Sequence, residues 1–343
     1  MINLQAALFE DLDQPDKLRG ALQTALELEH ATIPPYLFAA YSLKDTNVAI
    51  RRLIVDVTFE EMLHMTLVAN LINAIGGSPQ LNSPTFVPRY PTHLPGAVQD
   101  DLVVPLAPFS RELLREVFMK IEEPEEPQVF PVRAAAAAAA PEIRTIGQFY
   151  ARIKEAIQGG GEALFRDGKP ERQVAIEVDD DDSFAITDVA SAERAIDLIV
   201  GQGEGTPTSP LQATQEPAHY YRFEGILHGR TLRQDDTVPE GFSFSGDPIP
   251  FDEAGVFPAK PNLKVADIPI DSPARPLAEQ FNRDYTAMLG HLHRAFNGEQ
   301  EEHLDPAINL MRLRLRPTAR ALMQAPLGDG FNAGPTFEFA PFD

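Results

Sequence analysis

The stretch that most constrains the fold is residues 46–75. Steps of alternating fours and threes from Ile50 meet Ile54, Val57, Glu61, His64, Val68, Leu71 and Ile75. That spacing lines all eight along one face of an α-helix, and six are apolar, as a core-facing stripe requires. A "DTN" cap signal at 45–47 opens the pattern, and Gly76-Gly77 stops it. A pattern of similar length, about 16–43, precedes it across a short turn, which predicts an antiparallel helix pair.

The two exceptions on the stripe are Glu61 and His64, a Glu-x-x-His pair one turn apart. A carboxylate on a buried face needs a partner, because an unpaired buried charge is costly. The first helix supplies one. Its stripe reads Leu18, Leu22, Ala25, Glu29, Thr32, Tyr36, Ala39 and Leu43. Glu29 lies as far before the end of that pattern as Glu61 lies after the start of the next, so in an antiparallel pair their depths coincide. One Glu facing a Glu-x-x-His is the inward pattern of carboxylate-bridged di-metal bundles. Oxygen and imidazole ligands suit iron, manganese or zinc. Glu27 is expected to face solvent, and His30 borders the stripe, either beside the site or in packing. Pro34 and Pro35 remove the N–H partners of the His30 and Ala31 carbonyls. The helix is therefore expected to bend or widen there and open space beside the metal.

A second pair of core helices is expected at about 188–203 and 217–230. Here Glu193, Glu204, His219, Glu224 and His228 are all candidates, with Glu193 and His228 read as surface groups. His219 shares a face with Phe223 and Ile226. Loop-rich insertions are expected at about 78–185 and 231–276, and accessory helices at about 277–323, all within one domain spanning 1–343. The first insertion holds short helices after Ser110, ended by "EEPEEP", and at 145–157. It also holds an alanine run at 134–140 that reads as a linker, and "QVAIEV" (173–178), a candidate strand. Asp179–Asp182 lacks the alternate spacing of a calcium loop. His291 and His293 are two apart and cannot face one site, and His93 sits in a loop. The fold class expected is all-α, a four-helix bundle with long insertions and additional C-terminal helices.

Composition narrows the chemistry. No cysteine is present, which excludes disulfides, thiolate catalysis and thiolate metal sites. With 29 basic and 51 acidic residues the formal charge is −22, which disfavours nucleic acid and anionic membranes. No signal-like start or membrane-length apolar run is seen, so a cytoplasmic location is expected.

Six motifs together, "LEHATIPPYL" (28–37), "EEMLHM" (60–65), "NLINAIGGSP" (70–79), "YPTHLPG" (90–96), "IVGQGEG" (199–205) and "HYYRFEGI" (219–226), resemble the ferritin-like family. The branch they resemble is the one named for iminophenyl-pyruvate dimer synthase, of bisindole biosynthesis. The resemblance implies a ferritin-like bundle and a metal centre of Glu29, Glu61 and His64, completed by Glu204 and His219. It implies one or two non-haem iron ions, with manganese or zinc as other candidates. The expected function is an oxidoreductase using O2 or peroxide on a small organic substrate, compatible with a homo-oligomer. The competing expectation is an iron-binding or storage protein without an organic substrate.

Overall fold

The computed structural model describes residues 10–97, 101–124, 145–175, 183–205 and 209–340. Its frame is the antiparallel pair α1 (Pro15–Ser42) and α2 (Val48–Ala74). Pro15 opens α1 in the first turn, where its missing N–H costs nothing. The pair turns through a 3-10 segment, Asp45–Asn47. Asn47 does not cap α2 with its side chain. It is fully buried and binds the loop at 252–255, donating to the Asp252 and Gly255 carbonyls at 2.8 and 3.0 Å. The polar residue at the turn thus ties the second insertion to the bundle.

Further helices are α3 (residues 111–121, with a π-turn at Leu114–Phe118), α4 (Ile146–Gly160), α5 (Val189–Gly203) and α6 (His219–His228). Their starts follow from local chemistry. Ser110 accepts from the Leu113 N–H, and Thr145 and Asp188 build capping boxes with Gln148 and Ser191. Gly229 ends α6 at φ 72°, a conformation glycine adopts without strain. α5 and α6 pack on α2 and on each other, α4 packs on α1 and α5, and α3 packs on α6. Three C-terminal helices, α7 (Ala274–Arg294), α8 (Gln300–Leu310) and α9 (Arg316–Leu322), form an outer layer, with α9 reaching α1. The described strand is one two-residue ladder, Arg233–Gln234 against Phe242–Ser243. The fold is an all-α bundle, as the helical periodicity predicts.

Two expectations need correction. α1 runs unbroken through Pro34 and Pro35. The Ala31 carbonyl that Pro35 leaves free accepts the buried Tyr90 hydroxyl at 2.8 Å, so the loop after α2 repairs the helix. Gln173–Ala175 forms no strand, and 176–178 lie outside the described residues, as do the alanine run and Asp179–Asp182. Instead Asn70 of α2 grips the Val174 backbone from both sides, at 2.8 and 2.9 Å, and donates to the Phe184 carbonyl at 3.1 Å. Asn70→Ala should therefore cost about 3 kcal/mol, since each buried orphaned group costs about 1–3. Denaturant unfolding checks this, and a change below about 1 kcal/mol would contradict it.

Candidate metal centre

Six elements converge between α1 and α2. α1 contributes Glu29, Thr32 and Tyr36; α2 contributes Glu60, Glu61 and His64. Glu122 follows the end of α3, Tyr150 comes from α4, Gln202 from α5, and His219 and Arg222 from α6. Glu29, Glu61, His64, Glu122 and His219 are each at most 5% exposed. They form two groups able to hold a cation, Glu29/Glu61/His64 and Glu61/Glu122/His219. In each, ligand atoms from all three residues lie within 4.8 Å of one another, and Glu61 belongs to both.

The hydrogen bonds assign each side chain's free atom. His64 Nε2 donates to Gln202 Oε1 at 2.8 Å, which turns its Nδ1 toward the centre, 3.3 Å from Glu29 Oε2 and 3.9 Å from Glu61 Oε1. His219 repeats the arrangement. Its Nε2 donates to Glu60 Oε2 at 3.1 Å, and its Nδ1 lies 3.0 Å from Glu61 Oε1 and 3.4 Å from Glu122 Oε2. That buried Nδ1 makes no hydrogen bond among the described residues. The outer carboxylates are held alike: the Tyr150 hydroxyl donates to Glu29 Oε1, and the Tyr36 hydroxyl to Glu122 Oε1 at 2.5 Å. Thr32 donates to Glu61 Oε2 at 3.0 Å. Each carboxylate keeps one oxygen for the centre while a hydroxyl fixes the other.

The electrostatics call for a cation. Burial pushes Glu61 up to about 8, and the charges of Glu122 and Glu29 add to it. Burial acts the same way on Glu29, but the hydrogen bond and charge of His64 outweigh it and hold Glu29 below its ordinary value. Burial works to lower His219, yet Glu122, Glu60 and Glu61 together keep it well above the imidazole range. Three carboxylates around two outward-anchored imidazoles are costly in a dry site unless a cation takes the place of the protons. An orphaned imidazole nitrogen and an all-oxygen-and-nitrogen donor set fit a transition metal.

A cavity of about 20 Å³, room for one water-sized group, adjoins the cluster. Ile121, Ile146, Gly147, Ile199, Val200, Gly203 and Glu204 line it together with the carboxylates and His64. It lies on the α4/α5 side, and Glu29 is the only α1 residue that reaches it. The prolines of α1 therefore do not open it, contrary to expectation.

Four of the five expected ligands, Glu29, Glu61, His64 and His219, come together. Glu204 stands apart from both groups. It is the residue after α5, and its Oε1 accepts from the Gly147 N–H at 2.7 Å, where the free amides at the start of α4 attract a carboxylate. A side chain at Gly147 would run into that carboxylate. The member of the two groups that sequence reasoning missed is Glu122, which hides as the first letter of "EEPEEP". Its signal was faint: it continues the four-residue row of Leu114 and Phe118. Of the open candidates, His30 joins a packing cluster, with Nε2 2.6 Å from the Tyr285 hydroxyl and its ring against Phe86. Glu193 accepts from Gln158, Glu224 and His228 approach each other at 3.7 Å, and Glu27 is half-buried, accepting from Gln23.

Comparison with known proteins gives the family and the fold. The sequence model of the ferritin-like family matches residues 22–228. Dichlorochromopyrrolate synthase of Lentzea aerocolonigenes is 27% identical over 391 aligned positions, covering 93% of this chain and 35% of that protein. The chain thus spans about a third of that relative's length. The crystal structure of a ferritin-like protein from Caulobacter vibrioides superposes with a TM-score of 0.63 at 23% identity, over 94% of this chain and 97% of that one.

Proposed function

The chain belongs to the ferritin-like family, and from that premise we propose that it is a non-haem metal oxidoreductase acting with O2 or peroxide on a small organic substrate. The observation that carries the reading is the pair of ligand groups sharing Glu61, both buried and both completed by an imidazole Nδ1. Glu29, Glu61, Glu122, His64 and His219 would hold one or two ions, iron first, with manganese or zinc also accepted by such donors. The metal supplies the electron chemistry with oxygen that side chains lack. The protein's own part is positional. Tyr36, Tyr150 and Thr32 fix the carboxylates, and Ile121, Ile146, Ile199 and Val200 form the apolar part of the lining of the neighbouring space. The Lentzea relative, by its name a synthase of a small organic molecule, supports a reaction of the same broad class. The formal charge of −22 disfavours nucleic acid and anionic membranes as partners, and no helix among the described residues is long and apolar enough to cross a bilayer.

A second reading, iron binding without an organic substrate, draws on the small cavity, which admits an oxidant more readily than an aromatic ring. One experiment separates the two. Metal-free protein is supplied anaerobically with ferrous iron, then exposed to oxygen. The enzyme reading expects a spectral change with iron held at about one or two ions per chain. Continued iron uptake well beyond that supports the second reading, and no spectral change and no bound metal sinks both.

A further inference from the structure

The two ligand groups are matched at the centre and differ behind it. Each offers two carboxylates and one imidazole Nδ1, and each outer carboxylate is held by one tyrosine hydroxyl. The contrast lies in what each imidazole's far nitrogen donates to. His64 donates to an amide oxygen of Gln202, whereas His219 donates to the carboxylate of Glu60. Glu60 is itself anchored, accepting from Arg222 Nη1 at 2.5 Å and from Gln212 Nε2 at 2.8 Å. Arg222 also binds Glu216 at 3.1 Å, so its charge is shared and Glu60 remains an anionic acceptor. A carboxylate behind a histidine raises the basicity of the ligating nitrogen and fixes its tautomer, and removing such a group costs about 10–100-fold in metal affinity. Access differs in the same direction. All three residues of the His64 group line the cavity; of the other group Glu61 and Glu122 line it, and His219 does not.

We propose that the two metal positions are inequivalent by design: Glu61/Glu122/His219 is the tight, retained position, Glu29/Glu61/His64 is the weaker, exchangeable one facing the cavity, and Glu60 is the positioning residue that sets the difference. This rests on the metal-centre reading above. It assigns the exchange of metal, and the approach of small ligands, to the His64 side.

The test is equilibrium dialysis of the metal-free full chain against cobalt(II), with the cobalt absorption spectrum followed in parallel. The wild type should bind in two steps separated by about 10–100-fold. Glu60→Gln keeps a hydrogen-bond acceptor but removes the charge, and should weaken the tight step while leaving the other unchanged, so that the two merge. Gln202→Glu makes the reciprocal change, and should strengthen the weak step; this variant keeps the proposal testable if Glu60→Gln, which leaves Arg222 short of a partner, fails to fold. Two equal steps in the wild type, or a Glu60→Gln effect on both steps alike, would overturn the inequivalence while leaving the metal centre standing. Absence of any cobalt binding would overturn the metal centre itself, and the proposal with it.

Discussion

Glu61→Ala is expected to abolish metal binding at both positions and to leave a folded protein. Among the described residues, Glu61 alone belongs to both ligand groups, so its loss strips each to one carboxylate and one imidazole. The fold should survive, because Glu61 is a poor guest of its own site. Burial and the charges of Glu122 and Glu29 push it up to about 8, and removing it relieves that repulsion while Thr32 and His219 lose a partner. The readout is a difference of differences. Wild-type protein at a hundredfold excess of metal over the dissociation constant gains about 2.7 kcal/mol, and a chelator takes that away. The variant should melt at the same temperature with metal or chelator, close to the metal-free wild type. Elemental analysis of purified protein gives the independent check. Metal content equal to wild type would show that the carboxylate stripe is not the ligand set.

What the sequence made legible follows from periodicity. α1 and α2 are long enough for a 3.6-residue period to declare a face, so Glu29, Glu61 and His64 stood out as polar groups on apolar stripes. The same stripe carried Thr32 and Tyr36, and both touch the carboxylates. The rest was illegible for identifiable reasons. α3 is short, contains a π-turn, and ends in an acidic, proline-marked segment where a single ligand looks like a solvated helix stop. In the "GQGEG" segment the family resemblance pointed to Glu204, yet it is the neutral Gln202 that meets His64, and the charge of Glu204 goes to the start of α4. Tyr150 lies in α4, within an insertion whose distance along the chain gave no sign of contact with Glu29. The proline pair was misleading for a similar reason. The partner that satisfies the Ala31 carbonyl is Tyr90, from a loop no local rule connects to the helix. Local chemistry marks residues that need a partner, and tertiary structure decides which partner arrives.

That distinction gives the second large effect. Glu122→Ala should remove the ion on the His219 side and spare the one on the His64 side, cutting bound metal to about half of wild type. The ion that remains should be the weaker, exchangeable one, lost on dialysis at metal concentrations at which the wild type still keeps the ion on its His219 side. Glu122→Gln separates two contributions. It preserves an acceptor for the Tyr36 hydroxyl, which packs edge-on against Phe118 and Phe223, but it takes away the anionic oxygen near His219 Nδ1. Equal metal loss in the Ala and Gln variants would place the effect in ligation, whereas loss in Ala alone would place it in packing around Tyr36. Glu204→Ala is the counterpart, since its carboxylate bonds the Gly147 amide and lies outside both groups. It should keep full metal content, with the loss confined to the contact between α4 and α5. If Glu204→Ala instead empties a position and Glu122→Ala does not, the two carboxylates must exchange roles when metal enters, and the ligand set would be the one the sequence resemblance implies.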